Sequence, residues 1–189
     1  MRRSAPVPSA SAAAVRLNLG CGPNVAPGWL NVDVESVPGA VRGDVRAGLP
    51  LADASVDCIA AIHLLQDLAW PDIAPALAEM RRVLKPGGVL RLAVPDLDRA
   101  IRAYLSGDRT YWYVPDAHAR SGGAKLVTQI VWYGSVRTPC TWEFVREWLL
   151  AARYREVVRC AFGVTASGAA ELARLDNRAR ESLFVEAVK

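Results

Sequence analysis

Gly20 and Gly22 flank Cys21 where an apolar run stops, in the stretch RLNLGCGPN, and Asp33 closes a second short run, WLNVD. Paired glycines let a backbone turn tightly and approach a ligand without a side-chain clash. A carboxylate just downstream offers two oxygens, which suit the paired hydroxyls of a ribose. Asp33 is either that ribose acceptor or the cap of a strand end, and the glycine turn upstream favours the ribose. Asp44, in GDVRAGLPLADASVD, either forms a turn or accepts from an adenine amino group, with the backbone N–H of Val45 beside the ring.

The spacing argues against a phosphate on this ligand. A dinucleotide fingerprint wants a third glycine three residues after the second, then a helix whose N-terminus faces the pyrophosphate. Val25 stands at that position and Pro27-Gly28 follow. Between Leu19 and Leu30 there is room for roughly one or two helical turns, too few aligned N–H groups to hold an anion well. Asp33 also arrives 13 residues after Gly20, against about 20 for the acid that meets a nicotinamide ribose. A ribose without phosphate fits these distances, and S-adenosylmethionine carries one.

With such a ligand the chemistry is methyl transfer, which needs little from side chains. The acceptor atom must lie in line with the methyl–sulfur bond at roughly 3–3.5 Å, and water must be kept out. A base is required only where the acceptor loses a proton. The candidates are His63, at the end of an apolar run, and His118, in an aromatic-rich stretch. Each has an inert alternative: His63 as a polar residue packed beside the cofactor, His118 as a solvated loop histidine. Asp96 reads better as a helix cap than as a base. Tyr111, Trp112, Tyr113, Trp132 and Tyr133, with Tyr104, either wall an acceptor pocket and attract the cationic donor through their ring faces, or form ordinary core or a homodimer seam. The pocket is the preferred reading. Two histidines and four scattered cysteines, without CxxC spacing, give no metal site; reduced thiols fit a cytoplasmic protein.

These residues must be held by a frame, and strand and helix patterns alternate along the chain. Apolar runs at 15–19, 29–34 and 56–62 read as strands, the last of the buried parallel kind. Ile73, Ala76, Leu77, Met80, Val83 and Leu84 share one helical stripe, which KPGG at 85–88 stops. A strand at 89–94 then leads to Asp96, placed to cap a helix with the stripe Leu97, Ile101, Tyr104 and Leu105. Periodicity fades from 106 to 141. A helix at 142–152 and strands at 157–162 and 183–188 follow. The alternation predicts an α/β, doubly wound, mostly parallel sheet with helices on both faces.

At 189 residues, 52% hydrophobic and 22% charged, the chain suits one globular domain from residue 15, with an aromatic-rich insert at about 106–141. Residues 1–14 read as a disordered tail without a targeting signal. No apolar run reaches the roughly 18–20 residues that span a bilayer. The net charge of +4 comes largely from arginines interleaved with acids, as in REWLLAARYREVVR. That is the pattern of solvated helix faces and not of a gathered nucleic-acid footprint.

The stretches LNLGCG, WLNVD, GDVRAGLPLADASVD and RRVLKPGGVLRLAVPDL together strongly resemble the class I S-adenosylmethionine-dependent methyltransferases, in particular the small bacterial group related to the "type 11" enzymes. The resemblance covers residues 15 to about 105 and resumes weakly at WEFVREWLLAARYREV and ESLFVEAVK. It implies a seven-stranded Rossmann-like sheet with the last strand antiparallel. It also implies that Gly20, Cys21 and Gly22 lie under the methionine moiety, that Asp33 holds the ribose and that Asp44 meets the adenine. There are two departures. Asn18 stands where many relatives carry Asp or Glu, which weakens the attraction for the cofactor's ammonium group. HLLQD stands where relatives commonly read H-x-L-E-H, so Gln66 and Asp67 replace an acid and a histidine. The expected function is methylation of an oxygen or nitrogen of a small-molecule acceptor. The alternatives are an RNA or protein methyltransferase, or an S-adenosylmethionine-binding scaffold or non-methylating enzyme.

Overall fold

The structure is a computed structural model and describes residues 14–189; apart from Ala14, the expected tail lies outside them. Seven strands form one sheet: β1 (Arg16–Leu19), β2 (Leu30–Asp33), β3 (Val41–Arg42), β4 (Val56–Ile62), β5 (Leu84–Pro95), β6 (Arg155–Cys160) and β7 (Ser182–Val188). Their order is β3-β2-β1-β4-β5-β7-β6. β1 to β5 are mutually parallel, and β7 runs antiparallel to both β5 and β6. Strand order reverses between β1 and β4, so the connections leaving their carboxyl ends diverge and open a crevice there.

The two faces of the sheet are covered unequally. Leu17, Leu19, Ile59, Ala61, Leu90, Leu92 and Val94 alternate onto one face. There they meet Ile73, Ala76, Leu77, Met80 and Val83 of α1 (Trp70–Val83) and Val145 and Leu149 of the helix Trp142–Ala151. The expected stripe on α1 is therefore the buried one. On the other face Cys58 and Ala60 pack against Leu172, which sits on the single turn Ala170–Ala173, with Trp29, Ile62 and Leu175 at the margins. The connections from β1 to β2 to β3 to β4 contain turns and no helix among the described residues.

Two expectations need correction. Asp96 does cap α2 (Leu97–Ser106), its Oδ1 accepting from the Arg99 N–H at 3.2 Å. However, Ile101, Tyr104 and Leu105 are exposed, and the buried face carries Ala100 and Ala103. Tyr111 and Trp112 bring bulk from the opposite side, so the small side chains are the ones that face them. The patternless stretch after 106 contains α3 (Gly122–Val131), capped by Ser121. Its buried positions include Lys125 and Gln129 while Val127 and Val131 are exposed, which inverts the usual amphipathic signal. The remaining helices are α4 (Trp142–Ala151) and α5 (Ala170–Ala173). Among the described residues no helix is long and apolar enough to cross a membrane.

Candidate functional site

The crevice is built at the ends of β1, β2 and β4. Gly20 leaves β1 with a φ of +68°, and its N–H donates to the Val32 carbonyl at 2.8 Å. A side chain there would overlap Leu64. Gly22 also has a positive φ, +49°, and a Cβ added to it would meet nothing within 4 Å, so the turn borders open space. The Gly22 N–H donates to Oδ2 of Asp33 at 2.7 Å, and the Glu35 N–H donates to Oδ1 at 2.9 Å. Each oxygen keeps a further lone pair, so the carboxylate is fixed in place and still able to accept.

Gly20, Gly22, Asp33, Asp44, Val45 and His63 all border one cavity of about 380 Å³, within the range of small-ligand sites. Asp44 is engaged by Arg46, whose Nη2 donates to Oδ2 at 2.7 Å and whose Nε donates to Oδ1 at 2.9 Å. This ion pair holds the Asp44 carboxyl below its ordinary range and places a neutralised pair at the expected adenine end. Val45 is buried beside it. The residues present suit a phosphate-free adenosyl ligand. The one guanidinium bordering the cavity is already paired, and no helix N-terminus follows the glycine turn.

A smaller cavity of about 140 Å³ continues past the glycine turn, bordered by Asn18, Gly20, Cys21, Gly22, His63 and Asn177. Asn18 is buried and braces the loop, its Nδ2 donating to the Asn24 carbonyl at 3.0 Å and to Oδ1 of Asn31 at 2.9 Å. Burial pushes the Cys21 thiol upward, and Asp33 adds to the shift, which favours its protonated form. Asn177, which the sequence reading missed, has a buried Oδ1 without a partner.

His63 follows β4 in a left-handed conformation, φ +59°, its N–H donating to the Ala93 carbonyl at 2.8 Å. It borders the two cavities described and a third, of about 190 Å³, shared with Gln66, Asp67, Gln129, Trp132, Arg178 and Glu181. Burial pushes its pKa down to about 4, with the Arg178 charge contributing, so the imidazole is neutral at pH 7. The hydrogen bonds also select a tautomer. Ser182 Oγ lies 2.9 Å from the Arg178 carbonyl and 3.0 Å from Nε2 of His63. The hydroxyl has one proton; given to the carbonyl, it leaves Nε2–H as the donor to Ser182 and Nδ1 as a bare lone pair. That Nδ1 is buried and has no partner.

The aromatic set is divided by the fold. Trp132 borders the third cavity, with the Arg178 guanidinium 5.2 Å from its ring centre. Tyr111 borders a narrow crevice beside it, shared with Asp96, Gln66 and Glu181, while Trp112 packs with Tyr111 against α2. Tyr113 is exposed beneath Arg180, 4.2 Å from its ring centre. Tyr133 is exposed and its hydroxyl is 2.8 Å from Nδ1 of His118; His118 is exposed too and borders none of these cavities. Glu181 is the most informative residue that sequence reasoning passed over. It is a buried carboxylate at the head of β7, and an acid opening an apolar run was the available signal.

Residues 17–92 match the family described as a methyltransferase domain. Over its whole fold the chain resembles an S-adenosylmethionine-dependent methyltransferase of Thermotoga maritima, named as a possible histamine N-methyltransferase. That likeness has a TM-score of 0.59 at 18% identity, covering 94% of this chain and 83% of that one. A methyltransferase of Archaeoglobus fulgidus gives 0.56 at 14% identity, covering 94% and 87%. An uncharacterized 37.1 kDa protein of transposon Tn4556 in Streptomyces fradiae is 35% identical over 56% of this chain; the match spans only 38% of that relative's length. The glycine turn, the downstream acid and the strand order thus agree with the match: residues 17–92 are similar to the methyltransferase-domain family, and the chain has the fold of these solved methyltransferases.

Proposed function

We propose that this protein transfers a methyl group from S-adenosylmethionine to an oxygen or nitrogen of a small-molecule acceptor. One observation carries the reading: His63 borders both the cavity at the β1/β4 switch point, whose lining suits an adenosyl ligand without phosphate, and the smaller cavity under Trp132. When bound, S-adenosylmethionine supplies a methyl group already activated by its sulfonium.

The chain's residues have to bind, orient and keep dry. Asp33 accepts from the ribose hydroxyls with the lone pairs that Gly22 and Glu35 leave free. Gly20, Gly22 and the unpartnered Asn177 Oδ1 receive the methionine end. Asn177 supplies there an acceptor for an ammonium, beside Asn18, whose Nδ2 is committed to its loop and whose Oδ1 is a second acceptor. The cavity beneath Trp132 holds the acceptor, and fixing two reactants in line is worth on the order of 7–11 kcal/mol. His63, neutral and with Nδ1 bare, takes the proton that an attacking hydroxyl or amine must lose.

The volume of about 190 Å³ favours a small acceptor over a polymer. Two of the three arginines beside the neighbouring groove are also committed to the protein itself. Arg99 donates to the Ala179 and Arg180 carbonyls, and Arg180 donates to the Thr110 carbonyl. Calorimetric titration with S-adenosylmethionine and S-adenosylhomocysteine tests the donor, with micromolar binding of both expected. Failure of either to bind at millimolar concentration overturns the reading. Release of S-adenosylhomocysteine across a panel of alcohols, phenols and amines then identifies the acceptor class.

A further inference from the structure

Four polar side-chain atoms in the described structure are buried without a hydrogen-bond partner, and three of them belong to residues around one cavity: Nδ1 of His63, Oε1 of Gln66 and Oε1 of Glu181. A buried polar atom left unpaired costs roughly 1–3 kcal/mol, so a cluster of three marks a place where a ligand completes the bonding. The chemistry of that ligand follows from which partners are missing.

All three atoms are acceptors. The Gln66 amide is oriented by its nitrogen, which donates to the His63 carbonyl at 2.6 Å and to Oδ1 of Asp67 at 3.2 Å; its oxygen is the free end. Gln129 is oriented likewise, with Oε1 accepting from the Tyr113 N–H at 2.8 Å and Nε2 donating to Oε2 of Glu181 at 3.2 Å. The other oxygen of Glu181, Oε1, is ion-paired with the Arg178 guanidinium at 3.5 Å but accepts no hydrogen bond. His63 presents the lone pair of Nδ1, because Nε2–H is directed to Ser182. Charge points the same way. Two carboxylates, Asp67 and Glu181, border the cavity against one guanidinium, which itself lies on the face of Trp132.

A carboxylate ligand has no hydrogen to offer these atoms and an alcohol has one, whereas a primary ammonium has three. We infer that the cavity under Trp132 binds the primary amine of the acceptor as its ammonium, with Glu181, Gln66 and His63 receiving its N–H bonds and the Trp132 ring covering its carbon skeleton. Loss of one of these protons, to His63, frees the nitrogen lone pair that attacks the methyl. The inference rests on the proposal that this cavity is the acceptor site, and narrows its substrate class to amines.

Three probes that share a skeleton and differ in the head group test it: 2-phenylethylamine, 2-phenylethanol and phenylacetate. Each is titrated calorimetrically into the full chain, alone and saturated with S-adenosylhomocysteine. The amine should bind at least about tenfold more tightly than the other two, the difference expected when hydrogen bonds to a charged group are gained. Glu181→Gln should remove about that advantage while leaving the affinity for S-adenosylhomocysteine within roughly twofold. If Glu181→Gln fails to fold, Gln66→Leu, which removes a different acceptor, should lower amine affinity in the same sense. Equal binding of the three probes, preference for phenylacetate, or no binding of any probe would overturn the inference and leave a water-filled cavity. The donor reading is judged separately, by whether S-adenosylhomocysteine binds at all. The two failures therefore have different signatures.

Discussion

Asp33 and His63 are each held by the backbone in a way that makes their removal informative. The Asp33 carboxylate pins the N–H groups of Gly22 and Glu35 and borders the large cavity. Asp33→Ala should therefore weaken binding of S-adenosylhomocysteine by the roughly 1.5–3 kcal/mol of a charged hydrogen bond, about 10- to 150-fold in Kd. Asp33→Asn, which keeps one acceptor, should lose less. Calorimetry that finds the Ala variant unchanged would place the ribose elsewhere. His63 yields a prediction about pH. Its pKa is pushed down to about 4 from 6.5, so between those values the unfolded chain binds a proton that the folded chain refuses. Stability from this residue is present above pH 6.5 and drains away as pH falls towards 4, by roughly 2 kcal/mol on going from about pH 7.5 to about pH 5. Urea unfolding at the two values should show that loss. His63→Asn, whose side chain does not titrate and tolerates the left-handed backbone, should show a shallower dependence.

Elements differ in how far the sequence alone revealed them, and the reason is locality. β1, β2, β4 and α1 are legible because each carries its own periodicity, and the Gly20–Gly22 turn and the Asp96 cap depend on residues a few positions apart. β3, with two residues, has no period to show. α3 buries Lys125 and Gln129 because their partners, the Val114 carbonyl in the preceding loop and the distant Glu181, lie outside the helix. The same holds for the cavity under Trp132, whose walls follow β4, sit on α3 and precede β7. Sequence spacing carries no information about such a meeting, so Asp33 can be proposed from its own neighbourhood, Glu181 shows only an acid opening an apolar run, and Gln129 and Arg178 show no signal. The α2 cap can be tested on its own terms. Asp96 is buried, caps α2 and receives Nη2 of Arg159 at 2.6 Å from β6. Asp96→Ala should cost at least the roughly 1–2 kcal/mol of a lost cap, whereas Asp96→Asn should retain the cap and lose only the ion pair. Equal destabilisation by the two variants, read from thermal or urea unfolding, would show that the charge on Arg159 and not the cap is what Asp96 contributes.

At the scale of the whole molecule, the thinly covered face of the sheet is held together by charge. Arg91 on β5 is fully buried. Its Nε donates to Oδ1 of Asp176 at 2.7 Å and its Nη1 to Oε1 of Glu186 on β7 at 2.8 Å. Nη1 and Nη2 also reach the Val164 and Ala161 carbonyls at 3.0 and 3.3 Å. One guanidinium thus ties β5 to the segment that covers this face and ends in Asn177, Arg178 and Glu181, the outer wall of the proposed site. Replacing a whole buried ion network by apolar groups is often neutral, but removing one partner strands the rest. Arg91→Met leaves the Asp176 and Glu186 carboxylates buried without their cation, so a loss of about 3–5 kcal/mol is expected in urea unfolding. Because the same contacts fix the wall beside the glycine turn, the folded fraction of Arg91→Met should also bind S-adenosylhomocysteine more weakly than the parent. Adding Asp176→Asn to Arg91→Met should restore part of the stability, since one stranded charge is gone. A double variant less stable than the single one would mean that Asp176 serves this face through its bond from the Gly163 N–H and not through Arg91.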